Sequence, residues 1–118
     1  MDNEKMSAMA QVVEEINTGL SDTDKHSIAA LENDSDVIGI YSFYDLKAKR
    51  FDTPFFSQNN MFAMRHYKMT TEKEGTMLNR FKREFELHRI GYYHMDSGDI
   101  ELYPELLLEG KLVYKEKD

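Results

Sequence analysis

Between Val37 and Tyr44 the chain reads Val-Ile-Gly-Ile-Tyr-Ser-Phe-Tyr, with β-branched or aromatic side chains at all but two positions. Such residues lose little freedom on a pleated surface and much in a helix, so the run predicts a strand over 37–45. Apolar residues fall on both of its faces, which places it centrally or under a helix. Leu46-Lys-Ala-Lys49 offers a turn, and Arg50 to Phe56 a second extended piece. Pro54 cannot donate to a ladder, so that piece lies at a sheet edge or leaves the sheet there. A helix is expected over about 58–70 with Ser57 as its cap. The whole stretch from Ile38 to Asn60 is therefore the anchor of a folded body.

The rest of the body completes a small sheet. Thr76 to Arg83 predicts a helical turn or two, with Met77, Leu78 and Phe81 inward. Glu84 to His94 reads as a strand, with Phe85 and Leu87 on one face. Met95-Asp-Ser-Gly98 reads as a hairpin turn with Gly98 free to adopt positive φ, and Asp99 to Tyr103 as the return strand. After Pro104 a short helical or extended tail is expected, then a loose end or a short edge strand at Leu112 to Tyr114. The predicted fold class is α+β: three to four mostly antiparallel strands, one main covering helix and an N-terminal helical arm.

That arm is a different kind of chain. Met6, Met9, Val13, Ile16 and Leu20 recur at intervals of 3 and 4, a stripe along one side of a helix over 4–20. It spans barely two heptads and must pack on something, whether its own domain, a second copy or a partner. Residues 21–36 are polar, acidic and rich in turn formers, and read as a linker with weak helical content. The expected organisation is an arm and linker over 1–36 and a body over 37–118.

Charge divides along the same line. The chain carries a net −7. Residues 1–36 hold nine acids and two bases, residues 37–103 ten bases and nine acids, and residues 104–118 four acids and three bases. The excess negative charge resides in the arm, so a cationic face on the body is allowed. There is no cysteine, which excludes disulfides, thiolate metal sites and cysteine nucleophiles, and suits a reducing compartment. No apolar run approaches the roughly 20 residues of a membrane span, and the first residues lack a secretory pattern. A soluble protein of the cytoplasm, without membrane contact, is the expectation.

Catalytic patterns are missing. His26, His66, His88 and His94 form no ligand pair at metal spacing, and there is no phosphate loop, nucleophile elbow or catalytic acid pair. A non-enzymatic protein without cofactor or metal is expected; a small nuclease built from His88, His94 and Asp96 is the weakest of the alternatives. Bases interleaved with aromatics are more telling. Lys47, Lys49 and Arg50 cluster in the first turn, Arg65 and Lys68 lie on the main helix, and Arg80, Lys82, Arg83 and Arg89 lie before and within the third strand. Cationic grooves and stacking rings are how single-stranded nucleic acid is held. In that reading Lys47, Lys49, Arg50, Arg65 and Lys68 contact phosphates, and Tyr41 or Tyr44 stacks on bases. The rival is an interaction module that binds a viral or host protein through the Met6–Leu20 stripe.

Several of these residues also carry a resemblance. Tyr41-Ser-Phe-Tyr-Asp-Leu-Lys-Ala, then Phe51-x-x-Pro54-Phe-Phe-x-x-Asn59, then Ala63-x-Arg65 resembles the small non-structural protein of gokushoviruses, the single-stranded DNA phages of the Microviridae. Glu84-Phe-Glu-Leu-His-Arg-Ile-Gly91-Tyr-Tyr and Asp96-Ser-Gly98-Asp-Ile continue the pattern, so the resemblance covers about 38–103. It implies DNA binding during phage replication, or a part in the switch from duplex replication to single-strand synthesis, in the host bacterial cytoplasm. The implied partner is DNA, the single-stranded phage genome, with a homodimer or another phage or host protein engaging the N-terminal helix. Two departures stand out: the added acidic arm, and Phe81-Lys-Arg-Glu84 where the family usually has His-Pro before an acidic residue.

Overall fold

A computed structural model describes residues 26–116 of the 118. The chain divides into two units, Met1–Ala30 and Leu31–Asp118. The Met6–Leu20 stripe lies outside the described residues.

The elements of the second unit follow one another closely. Helix α1 (Ile28–Glu32) ends inside it, followed by β1 (Val37–Asp45), β2 (Arg50–Phe51), β3 (Phe55–Ser57), α2 (Asn60–Thr71), α3 (Met77–Arg80), a 3-10 turn (Lys82–Glu84), β4 (Phe85–His94), β5 (Ile100–Glu109) and α4 (Gly110–Val113). The five strands make one antiparallel sheet in the order β2-β1-β4-β5, with β3 also on β1. The α+β class and its antiparallel sheet are as the sequence predicts, with one strand more than expected.

The extra strand comes from an interruption. β2 pairs with Tyr44 and Asp45, and β3 pairs with Gly39, Ile40 and Tyr41. They are two pieces of one edge strand, broken over Asp52–Pro54, where the proline has no N–H to give. The gap is bridged from β1: the buried Ser42 hydroxyl donates to the Asp52 carbonyl at 2.7 Å, and the Asp52 N–H reaches the Phe43 carbonyl at 2.8 Å. Helix α2 starts later than expected. Ser57 remains in β3, and the Asn59 side chain caps the helix by accepting from the Phe62 N–H at 3.0 Å. The predicted hairpin turn forms, with Gly98 at φ +81. Beyond it β5 runs through Pro104 to Glu109, so the expected tail is strand, and the chain after it is a helical turn rather than an edge strand.

One face of the sheet is covered. Tyr41, Phe43 and Leu87 meet Ala63 and Tyr67 of α2 in the main core, each at most 6% exposed. Burying one such leucine contributes roughly 2 kcal/mol. Farther along that face Leu31, Val37 and Tyr92 form a second cluster with Tyr103 against it. Glu32 ties the clusters together: it accepts from the Tyr92 hydroxyl at 2.7 Å and from the Asn60 N–H at 3.0 Å, while the Tyr41 hydroxyl donates to the Asn60 side chain at 2.9 Å. Residues 31 and 32, read from the sequence as linker, thus hold the start of α2 to β4.

Candidate nucleic-acid interface

The cationic site is assembled by three backbone contacts. In the β1–β2 turn, Asp45 accepts through one carboxylate oxygen from the Lys47 and Ala48 N–H groups at 2.9 and 3.1 Å, and its carbonyl accepts from the Lys49 N–H at 2.7 Å. The Leu46 N–H then bonds the Glu84 carbonyl at 2.9 Å, drawing this turn against the 3-10 turn. From the other side, α4 approaches through Gly110. A Cβ there would stand 2.1 Å from the Lys82 carbonyl oxygen and 2.8 Å from that of Phe85, so only glycine permits the contact.

These contacts bring Lys47, Arg80, Lys82, Arg83 and Lys111 around a cleft of about 590 Å³, with Leu46 and Phe81 as apolar wall and Glu84 as its one acid. Arg83 is already engaged: its Nε donates to the Tyr114 carbonyl at 2.7 Å and its guanidinium lies 3.5 Å from Glu116. The Lys82 ammonium sits 4.6 Å from the centre of the Tyr114 ring. Tyr114 is held in turn by Thr71, 2.6 Å from its hydroxyl, and burial pushes its phenol above the usual range. Among the described residues no carboxylate pairs with Lys47, Arg80 or Lys111. A cleft with surplus cations and an apolar wall that includes the Phe81 ring offers what a polyanion with exposed bases needs.

The structure sorts the sequence candidates. Lys47 lines the cleft. Lys49 stands exposed at the tip of the turn, in the left-handed region at φ +57. Arg50 borders a different groove, which it shares with Asp45 and Asp52, so the cationic surface is interrupted on that side. Arg65 and Lys68 are exposed on the outer side of α2, with Arg65 5.7 Å over the Phe62 ring; neither lines the cleft. Tyr41 is fully buried in the core, which removes it as a base-stacking residue. Tyr44 lies on the other sheet face, edge-on to Phe51 at 4.7 Å and to His88 at 5.8 Å. Arg89, counted among the bases, is 2% exposed: it donates to the Tyr103 carbonyl at 2.9 Å and to Glu105 at 2.7 Å.

Lys111 was not singled out by sequence reasoning. The available signal was its place directly after a glycine at the end of a strand. Arg80, Lys82 and Arg83 were visible as a basic run but not as a site, because what they face depends on Gly110, some 30 residues away in sequence. His88 and His94 do not converge. His88 pairs with Glu86 at 2.9 Å and His94 with Glu101, and the two histidines stand six positions apart on β4, about 20 Å at the rise of a strand. Asp96 lies in the hairpin turn. This trio makes no single metal site.

No helix among the described residues is long and apolar enough to cross a membrane. No curated protein and no solved structure matches the chain. A family of phage proteins does: the description Phage ORF5 protein fits residues 38–113. The matched span runs from the first residues of β1 to the end of α4 and takes in every residue lining the cleft, and the chain belongs to the phage ORF5 protein family.

Proposed function

We propose that the protein is a non-enzymatic phage DNA-binding accessory protein that acts in genome replication or in the switch to single-stranded DNA synthesis, in the host cytoplasm. The observation that carries the reading is the cleft, where five bases surround one acid in a chain of net charge −7. Membership of a phage family supports the setting, and the resemblance to gokushovirus non-structural proteins supports a single-stranded genome as the partner. The phosphate-contacting set becomes Lys47, Arg80, Lys82 and Lys111, with Lys49 at the rim; Arg50, Arg65 and Lys68 play lesser parts.

The test is fluorescence anisotropy with labelled single-stranded and duplex DNA on the full chain at low and moderate salt. Binding is expected, tighter for the single strand. Replacing Lys47, Lys82 and Lys111 together by Gln is expected to weaken it by at least tenfold at low salt while leaving the far-UV circular dichroism unchanged. Equal affinity in wild type and the triple variant would overturn the assignment to this cleft, and no binding by wild type would overturn the function.

A further inference from the structure

The sheet has a second face. Alternation and register put Ile38, Ile40, Ser42 and Tyr44 of β1 on it, opposite the core-facing Tyr41 and Phe43. Phe51 pairs with Tyr44 and Phe56 with Ile40. On the other side Tyr93 pairs with Ile100, Gly91 with Leu102 and His88 with Leu106. The resulting surface is apolar from edge to edge. Its rings touch, with Phe56 and Tyr93 at 6.0 Å and Phe51 and His88 at 5.2 Å.

Among the described residues nothing covers this face. Phe51, Phe56, Ile100, Leu102 and Leu106 remain between 40% and 60% exposed. On side chains of this size that leaves on the order of 500 Å² of apolar surface, and the half-buried Ile38, Ile40, Tyr44 and Tyr93 extend it. Contiguous patches beyond a few hundred Å² mark interaction sites, and a stable complex needs about 800 Å² from each partner. The patch is of that order.

We propose that this face is a homodimer interface, in which the open sheets of two copies stack on each other. Charge selects the occupant. No lysine or arginine occupies a position on the face, so it offers nothing to phosphates. Its carboxylates, Glu86 and Glu109, pair across β4 and β5 at one end, and Glu86 is tied to His88 at 2.9 Å. A two-fold axis running across the strands puts the two acidic ends at opposite sides of the interface, where like charges do not meet. Stacking by the face suits this sheet better than pairing along its edge. The free edge strand β5 contains Pro104 and two register shifts, devices that oppose edge-to-edge pairing. The dimer does not depend on DNA binding.

Sedimentation analysis of the full chain tests it. Wild type is expected at twice 13.9 kDa in the micromolar range. Phe56→Glu with Leu102→Glu is expected to shift dissociation by at least a hundredfold, with far-UV circular dichroism unchanged. A monomeric wild type up to about 100 μM would overturn the proposal. So would a dimer that the face variant leaves intact and Met9→Glu with Ile16→Glu disperses, since that assigns association to the N-terminal stripe. If the double glutamate variant does not fold, the absence of native cysteine supplies a second readout. Leu102→Cys, near the proposed axis, is expected to crosslink to its own copy through a short bis-maleimide, and Lys73→Cys, in the loop after α2, is not. Equal crosslinking at both positions, or none at Leu102→Cys, would overturn it. Loss of the Leu102→Cys crosslink on adding a single-stranded oligonucleotide would reassign the face to bases.

Discussion

Arg89 shows how far a residue can lie from what its type suggests. It is among the largest of the buried side chains of the body, its guanidinium 5.3 Å from the centre of the Tyr92 ring. Two of its nitrogens donate to Tyr103 and Glu105, and the third, Nη1, is buried without a partner among the described groups. A buried cation held by so few partners is costly to disturb, because truncation strips the Tyr103 carbonyl of its donor and leaves a void. Arg89→Ala is expected to lower stability by about 3 kcal/mol in urea unfolding while leaving the DNA affinity of the folded protein unchanged. Loss of affinity without loss of stability would return Arg89 to the interface. Lys49 is the opposite case. Its left-handed backbone at φ +57 favours glycine or asparagine, so Lys49→Gly is expected to change stability by less than about 1 kcal/mol, and any effect on DNA affinity then reports charge alone.

At the level of elements, legibility followed local pattern. β1 was readable because six of eight adjacent residues, all but Gly39 and Ser42, pointed to strand, and the hairpin because Gly98 sits where positive φ is needed. The start of α2 was misplaced by two residues, since Ser57 and Asn59 are both good caps and only pairing of β3 with β1 decides between them. Asn59→Ala is expected to cost about 1 kcal/mol, and Ser57→Ala much less. β5 was cut short at Pro104 because proline ends most strands; here it sits at an irregularity on a free edge, where no ladder bond is lost. The cleft was the least legible, because it depends on contacts of backbone with backbone between distant segments. Gly110→Ala is expected to push α4 away from the 3-10 turn, lowering stability and weakening DNA binding together.

For the whole molecule, an open sheet with one covered face carries cations in a cleft at one end and an apolar surface on the uncovered side. The excess negative charge of the chain resides in residues 1–36, outside the segments that line the cleft in sequence. The covered face also sets an alkaline limit. Burial raises the phenol pKa of Tyr41, Tyr67 and Tyr92 above the usual value near 10. A group with a raised folded pKa contributes its full stabilisation below the unfolded pKa and loses it as pH climbs toward the folded one. Stability is therefore expected to be insensitive to these groups below about pH 10 and to fall above it. In absorbance titration at alkaline pH, a part of the seven tyrosines should ionise only as the protein unfolds.

The salt dependence of DNA binding tests the central claim most directly. If Lys47, Arg80, Lys82 and Lys111 each displace a counterion from single-stranded DNA, a plot of log K against log salt should have a slope of about −3. Lys82→Gln should make that slope shallower by about 0.7. A slope near zero, or one unchanged by Lys82→Gln, would contradict the cleft as the DNA site.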